Sequence, residues 1–176
     1  MIEIFQSYFR IAVVKCKYPD VNLSGCFLEK GVSILCTDNS KIKICNTHIS
    51  TGSLIAAKHG GNLFIDESFV GRNSVIVACG DIQIGCNCQI AEMVVIRDHN
   101  HQFSDASVPI ANQGLEITPI RIGSNVWIGA KATVLAGSII GDHSVIGAHG
   151  LVNSQLEGGA VYVGLPVKKV KNINAK

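Results

Sequence analysis

Charged side chains and long apolar runs are both scarce in this sequence. Asp, Glu, Lys and Arg make up only 16% of the 176 residues and the net charge is +2, so we expect neither a nucleic-acid-binding surface nor a charged disordered tail. No charge-free apolar stretch reaches the ~18 residues that a membrane-spanning helix needs. The sequence therefore predicts a single domain with an apolar core, no integral membrane segment and no nucleic-acid partner.

We also expect neither a secretion signal nor a disulfide framework. The opening segment mixes apolar residues with Glu3, Gln6 and Arg10, and no small-residue cleavage site follows it. The seven cysteines are an odd number, spread along a chain too long to need disulfide staples, which suits reduced, half-buried thiols. We therefore predict a cytoplasmic protein.

The sequence does contain a clear period of six residues. Aliphatic residues recur at every sixth position on either side of one interruption, a glycine directly follows most of them, and the fifth place is small. Six is a multiple of the two-residue repeat of a strand and not of the 3.6-residue turn of a helix, so the period predicts short strands. The aliphatic positions are Ile84, Ile90, Ile96, Ile122, Ile128, Val134, Ile140, Ile146 and Val152.

Three such hexads would form one triangular coil, with successive coils about 4.8 Å apart. The aliphatic side chains would then stack into columns inside the prism. We expect the recurring glycines to supply positive φ at the corners, and the small fifth residues to let the chain turn without crowding the interior. The predicted stacked pairs are Ile122 on Ile140, Ile128 on Ile146, and Val134 on Val152.

The first half keeps the period less strictly. Ile65, Gly71 and Val77 are spaced by six, but the next step, to Ile84, is seven. We predict that residues 21–77 form irregular coils of the same prism with small insertions at the corners. Before about residue 20 the sequence leaves a short helix and a capping strand equally open.

One loop interrupts the period. The 26 residues from Ile96 to Ile122 are two more than four hexads, so part of the chain must leave the prism. A polar loop on a rigid scaffold is a usual carrier of function. The predicted organisation is a single domain, 1–176, with an N-terminal cap segment at 1–20, a β-helix at 21–164 that extrudes a loop at 97–121, and a C-terminal tail at 165–176.

These features resemble the hexapeptide-repeat acyltransferases, and within them the sugar and polysaccharide O-acetyltransferases. The resemblance implies an all-β fold, a left-handed parallel β-helix, whose handedness no periodicity indicates. It also implies acetyl transfer from acetyl-coenzyme A to a sugar hydroxyl of a capsule, O-antigen or nucleotide-sugar precursor, by a homotrimer with active sites between subunits. The motifs that carry it are Asp98-His99-Asn100-His101, Pro119-Ile120-Arg121-Ile122-Gly123-Ser124-Asn125-Val126-Trp127-Ile128-Gly129, and Val163-Gly164-Leu165-Pro166-Val167-Lys168-Lys169-Val170.

The resemblance also assigns site residues. The family's catalytic histidine occupies the sixth slot of the hexad that enters the loop, which is His101, and His99 is the competing candidate. A neutral imidazole, with an ordinary pKa of about 6.5, can take the hydroxyl proton as the oxygen attacks the thioester. Asp98 and Asn100 are assigned to the acceptor, although Asp98 could instead orient a histidine or stabilise a turn. The residues implied for coenzyme A are Trp127, Gly129, Ala130, Ala148, Lys168, Lys169 and Lys171, with the N–H of Gly129 or Ala130 facing the oxyanion.

Other interpretations remain open from the sequence. The same scaffold supports N-acetylation of an amino sugar nucleotide, or a β-helical subunit without chemistry. His99 and His101 have the spacing of a metal pair, but no third ligand is visible, since His143 and His149 fall on other faces. We therefore predict that no metal is required. Trp127 could be an apolar plug, and the lysines a solvated tail.

Overall fold

The N-terminal segment is a helix. The computed structural model describes residues 2–173, and α1 spans Ile2–Lys17. It lies on the first coil, where the Ser7 hydroxyl accepts the N–H of Leu28 at 2.8 Å and the Arg10 guanidinium donates to the carbonyl of Leu28 at 2.7 Å. Among residues 2–173, α1 is the single α-helix, and it is neither long nor apolar enough to cross a membrane.

The rest of the described chain is a stack of three-stranded coils, as the period predicts. The first four coils are β1 (Val21–Ser24), β2 (Phe27–Leu28), β3 (Ser33–Cys36); β4 (Lys41–Cys45), β5 (His48–Ile49), β6 (Leu54–Ala57); β7 (Asn62–Asp66), β8 (Phe69–Val70), β9 (Val75–Ala78); and β10 (Asp81–Ile84), β11 (Gln89–Ile90), β12 (Val95–Arg97). A hairpin of β13 (His99–His101) and β14 (Leu115–Ile117) leaves the prism. The coils resume with β15 (Ile120–Ile122), β16 (Trp127–Ile128), β17 (Thr133–Val134); β18 (Ile139–Ile140), β19 (Val145–Ile146), β20 (Leu151–Val152); and β21 (Gln155–Leu156), β22 (Ala160–Gly164), closed by β23 (Val167–Asn172).

Each of the first six coils contributes one strand to each of three sheets, and the coils pair with one another in parallel. The first sheet has the order β1-β4-β7-β10-β15-β18-β21, the second β2-β5-β8-β11-β16-β19-β22-β23, and the third β3-β6-β9-β12-β17-β20. The predicted stacks of Ile122 on Ile140, Ile128 on Ile146 and Val134 on Val152 are all confirmed. Burying one aliphatic side chain of this size stabilises the fold by about 1.5–3 kcal/mol, so these columns are the main source of stability.

The N-terminal coils are irregular members of the same prism, as expected, and the fully buried side chains there do not follow the six-residue spacing of Ile65, Gly71 and Val77. Stacked partners such as Ile44 and Ile65 lie twenty-one residues apart there, because each coil has longer strands and corner insertions. Val70 and Ile76 are therefore the fully buried residues of β8 and β9, each one position before Gly71 and Val77.

The expected role of the glycines is wrong. Positive φ occurs two residues later, at Asn125, Lys131, His143 and His149, and not at the glycines that follow the aliphatic positions. Those glycines are needed because the next coil passes too close for a side chain. A Cβ on Gly129, for example, would lie 2.6 Å from the backbone N of Ala148.

Two pairs of strands within residues 2–173 are antiparallel. The loop rises as the β13–β14 hairpin, contains a 3-10 helix at Ile110–Asn112, and rejoins the prism where Ile120 pairs with Ile82. At the other end β23 pairs with β22, so the predicted tail is a strand of the second sheet as far as the structure describes it. The division of the chain at residues 20 and 164 stays a prediction.

Candidate active site

A buried carboxylate holds one of the two loop histidines. Asp98 directly follows β12, at the point where the chain leaves the third sheet, and has no exposed surface. Its Oδ1 lies 3.2 Å from Nδ1 of His99, whose side chain is 12% exposed. This contact orients the imidazole and leaves Nε2 as the nitrogen that Asp98 does not engage.

The Asp98 carboxylate is itself fixed by the preceding coil. Oδ1 accepts the backbone N–H of Cys79 and Oδ2 that of Gly80, both at 2.8 Å. Gly80 is needed here, because a Cβ would lie 2.5 Å from Ile117 and 3.3 Å from Oδ2 of Asp98. The assignment of Asp98 to acceptor contact is therefore wrong: it lies behind His99 and cannot touch a bound sugar.

His99 and His101 line one cavity of about 230 Å³ at the edge between the third and first sheets. Side chains alternate along a strand, so the two imidazoles project to the same side of β13, and Asn100 to the other. His101 is exposed, whereas His99 is largely covered. The structure thus brings the two histidines together and separates Asn100 from them. The remaining lining residues are Leu54, Lys58, His59, Val77, Cys79, Arg97 and Leu115.

The sulfur of Cys79 lies beside Asp98 and His99, and the sequence pattern did not reveal this neighbour. The potential metal-ligand atoms of Cys79, Asp98 and His99 all lie within 4.8 Å of one another. Burial, and the negative charge of Asp98, raise the pKa of the Cys79 thiol, which therefore favours the neutral form. Both Asp98 oxygens already accept backbone N–H groups, so the geometry fits an oriented imidazole better than a metal site.

The residues implied for coenzyme A lie along another edge of the prism. Corners that join the second sheet to the third, which we call the 2–3 edge, contain Gly129-Ala130 and, one coil on, Gly147-Ala148. The N–H of Gly129 is used, since it donates to Ile146 at 2.8 Å. Within residues 2–173, neither the N–H of Ala130 nor that of Ala148 donates to a backbone carbonyl. Of the two predicted oxyanion donors, the geometry therefore favours Ala130.

Trp127 lies on the outer face of the second sheet, next to this edge. Its side chain is 55% exposed, so it does not act as an apolar plug in the single chain. It pairs with Val145, which pairs with Val161, which pairs in turn with Lys171 on β23. Cross-strand partners share a face, so Trp127 and Lys171 belong to one outer row, about three strand spacings or ~14 Å apart.

The three lysines do not form a single cluster. Lys171 and Lys168 oppose Val161 and Val163 and so share the outer face with Trp127. Lys169 opposes the buried Tyr162 and lies 3.5 Å from a carboxylate oxygen of Glu157. The structure therefore groups Lys168 and Lys171 with Trp127 and separates Lys169 from them.

Within one chain, the histidines and the 2–3 edge lie on opposite sides of the third sheet. The strand β9 (Val75–Ala78) spans the gap, and four residues at about 3.3 Å each separate the two edges by ~13 Å. Neither Trp127 nor Ala130 lines the histidine cavity. A single chain thus carries both halves of the predicted site but does not bring them together.

Comparisons with known proteins agree with this architecture. The family model for the bacterial transferase hexapeptide, which describes six repeats, matches residues 119–154. A Mycobacterium tuberculosis protein named as an acetyltransferase is 36% identical over 168 residues, which is 94% of this chain and 56% of that protein. The Escherichia coli protein WbbJ, named for O-acetyl transfer in lipopolysaccharide biosynthesis, is 34% identical over 69% of this chain and 65% of its own length.

A solved structure has a similar architecture. Galactoside acetyltransferase in complex with coenzyme A superposes with a TM-score of 0.61 at 26% identity, over 94% of this chain and 70% of that one. The chain spans a little over half to about two thirds of the curated relatives named above. With its stacked coils, its matched repeats and these relatives, the chain belongs to the bacterial transferase hexapeptide family.

Proposed function

We propose that this protein transfers an acetyl group from acetyl-coenzyme A to a sugar hydroxyl, with His101 as the general base. The observation that carries the proposal is the cavity at the base of the loop, where an exposed imidazole lies beside one held by a buried carboxylate. The proposed acceptor is a precursor of a surface polysaccharide, and the proposed compartment is the cytoplasm. The similarity to WbbJ and to galactoside acetyltransferase supports both the donor and the acceptor class.

The reaction needs little from the protein besides a base and an oxyanion donor. As the acceptor oxygen attacks the thioester carbonyl, an imidazole nitrogen takes the hydroxyl proton, and general base catalysis of this kind contributes about 10²–10⁴-fold. The tetrahedral oxyanion would accept the N–H of Ala130, which has no backbone partner. Collapse of the tetrahedral intermediate breaks the C–S bond, and the departing thiolate takes the proton from the imidazolium, yielding an acetyl ester and coenzyme A.

We place the donor on the outer face of the second sheet. Lys168 and Lys171 would meet its phosphates, the pantetheine arm would run past Ala148, and the thioester would lie near Trp127 and Ala130. All five residues lie along the 2–3 edge or on the adjoining face, in that order along the prism. Arranged this way, the donor needs no metal and no acylated side chain.

A second copy of the chain would complete the site. Because the histidines and the donor edge are about 13 Å apart across the third sheet, we propose that a neighbouring subunit presents its 2–3 edge to the histidine cavity. A homotrimer satisfies this with three identical contacts related by closed rotation. Light scattering tests the assembly, and a mass near 18.7 kDa at working concentration contradicts it.

His99 is the second candidate for the base. The Asp98 contact gives it the oriented imidazole that His101 lacks, in the arrangement of a carboxylate behind a histidine that recurs in acyl-transfer enzymes. In the proposed mechanism the Asp98–His99 pair fixes the start of the loop and thereby the position of His101. Comparing His99→Ala with His101→Ala tests which histidine is the general base.

The activity itself is tested by thiol release. Purified protein is mixed with acetyl-coenzyme A and a panel of sugars and amino sugars, and free thiol is followed with the acceptor omitted as the control. Acetylation of hydroxyl sugars is expected. Turnover with amino sugar nucleotides alone would mean N-acetylation, and the absence of both turnover and a coenzyme A-dependent thermal shift would mean a scaffold subunit.

A further inference from the structure

A second cavity, of about 480 Å³, opens on the 2–3 edge toward the N-terminal end of the prism. Its walls come from four successive coils, and none of its lining residues belongs to the site proposed above. This volume falls in the range of about 300–1,000 Å³ that is usual for small-molecule sites. Its lining includes Glu29, Ser50, Phe69, Arg72, Glu92 and Met93.

Glu29 is a prearranged acceptor of hydrogen bonds in this cavity. One carboxylate oxygen accepts the backbone N–H and the hydroxyl of Thr51, at 2.9 and 2.7 Å, and the other lies 2.8 Å from Nε2 of His48. These hydrogen bonds, chiefly those from Thr51, lower the pKa of Glu29 to about 2, so it is ionised at neutral pH. The Ser50 hydroxyl, 3.4 Å from the oxygen that contacts His48, makes the longest of the four hydrogen bonds to this carboxylate, and it is the one that a ligand hydroxyl can replace.

Phe69, which lines the cavity, is the last ring of an aromatic row. Phe27, His48 and Phe69 oppose one another on β2, β5 and β8, with ring centroids 4.9 and 5.3 Å apart. The His48 ring is thus held by two phenyl rings and by Glu29. A half-buried aromatic face beside fixed hydrogen-bonding groups suits a sugar, whose C–H face is apolar and whose rim carries hydroxyls.

The cavity continues the line along which we place the donor. Phe69 pairs with Gln89, which pairs with Trp127, so Phe69 and Trp127 lie two strand spacings apart, about 10 Å. At the near end, Met93 and Glu92 lie one coil from Lys131 and Ala130, since the N–H of Lys131 donates to the carbonyl of Glu92 at 2.9 Å. A ligand that starts beside the thioester and follows the edge therefore enters this cavity.

The charges of the cavity disfavour an anionic ligand. Two carboxylates, Glu29 and Glu92, face a single guanidinium, that of Arg72. A sugar diphosphate would meet net repulsion here, whereas neutral hydroxyl groups can use carboxylates and the guanidinium alike as partners.

We infer that this cavity binds the acceptor, and that the acceptor is a neutral glycan of two or more sugar units. The reacting unit would lie beside Glu92 and Met93, and the next unit against Phe69 and Glu29. The inference rests on the proposed function for the order of donor and acceptor, but the binding of a glycan by the cavity can be measured without the donor.

The test is direct binding of lactose and maltose to the purified full chain, by saturation-transfer NMR without coenzyme A. Methyl β-galactoside, methyl α-glucoside and UDP-N-acetylglucosamine are measured alongside. We expect the disaccharides to bind at least tenfold more tightly than the methyl glycosides. Phe69→Ala and Glu29→Gln should weaken disaccharide binding about tenfold. Phe64→Ala is the matched control: it also removes a phenyl ring, but from the outer face of the first sheet, and should leave disaccharide binding unchanged.

Several outcomes overturn the inference. These are no binding of either disaccharide, equal binding of disaccharides and methyl glycosides, or equal loss in Phe64→Ala and Phe69→Ala. Preferred binding of the UDP-sugar, abolished by Arg72→Ala, would assign the cavity to a nucleotide sugar instead. Disaccharide binding through Phe69 without any acetyl transfer would leave the cavity assignment intact and contradict the proposed function alone.

Discussion

Oδ1 of Asp98 lies 3.2 Å from Nδ1 of His99, and the carboxylate is entirely buried. The backbone N–H groups of Cys79 and Gly80 occupy its two oxygens, so the pair is fixed by the coil that precedes it. A buried carboxylate is retained only where such partners compensate for its lost hydration. The Asp98–His99 pair therefore anchors the loop that presents His101 to the cavity.

The two histidines should differ in what their removal does. His101→Ala is expected to lower kcat about 10²–10⁴-fold, because it removes the base and little buried structure. His99→Ala should lower kcat less and also reduce stability, because it leaves Asp98 without its imidazole. Steady-state kinetics with acetyl-coenzyme A, paired with thermal unfolding, separates them. A larger loss of kcat in His99→Ala would assign the base to His99.

Asp98→Asn should destabilise the protein by about 1–3 kcal/mol. The amide keeps one oxygen but places an NH2 group against one of the two backbone N–H groups of Cys79 and Gly80, leaving a buried donor unsatisfied. Denaturant unfolding measures the change. Asp105→Asn, in the exposed part of the loop, is the matched control and should stay within about 0.5 kcal/mol of the wild type.

Mixing two inactive variants should restore activity if the site spans two subunits. His101→Ala lacks the base and Trp127→Ala lacks the donor contact, yet a mixed trimer contains some interfaces with both native residues. After co-refolding in equal amounts, up to about a quarter of the wild-type rate is expected from random assembly of a closed ring. Unchanged, additive activities in the mixture would place the whole site within one chain.

Substitution of the three lysines should affect the KM for acetyl-coenzyme A according to the face on which each lysine lies. Lys168→Ala and Lys171→Ala are each expected to raise the KM for acetyl-coenzyme A about fivefold, the effect of losing an exposed charge contact of about 1 kcal/mol. Lys169→Ala should change it by less than about twofold, because Lys169 opposes Tyr162 and reaches toward Glu157. Equal effects of all three would indicate nonspecific attraction of the phosphates.

Glu29 should make stability depend on pH in the acid range. Its pKa in the folded protein is about 2 and its ordinary value is 4.5, so the folded state favours the ionised form. The resulting stabilisation is fully present above pH 4.5 and is lost as the pH falls toward 2. Thermal unfolding at a series of pH values should show this loss in the wild type and a smaller one in Glu29→Gln. Glu116→Gln, at an exposed position of β14, should follow the wild type.

The regular coils were predictable from the residues alone. Each of Ile122, Ile128 and Val134 occurs at a fixed place in a six-residue repeat, and such a repeat has only one way to bury every aliphatic side chain. In the N-terminal half, corner insertions and longer strands lengthen each coil, so a strict six-residue spacing from Ile65 misses the fully buried Val70 and Ile76 by one position. Handedness came from resemblance and not from any pattern.

The site was predictable only in part. The sequence located the loop and both histidines, since the interruption of the repeat marks where the chain leaves the prism. It could not tell that Asp98 faces inward, or that Cys79 and Gly80 hold it, because these partners lie nearly a full coil away in the chain. The division of the lysines between two faces likewise depends on the pairing of β22 with β23.

For this protein, the sequence by itself determined the stacked coils and the point at which they are interrupted, because hydrophobic burial at a constant period is a local property of the chain. Only the tertiary structure decided which groups meet across coils: Asp98 with the N–H groups of Cys79 and Gly80, Glu29 with His48 and Thr51, and Trp127 in one row with Lys171. Such meetings depend on the length of each coil, which sets the register between residues about twenty positions apart.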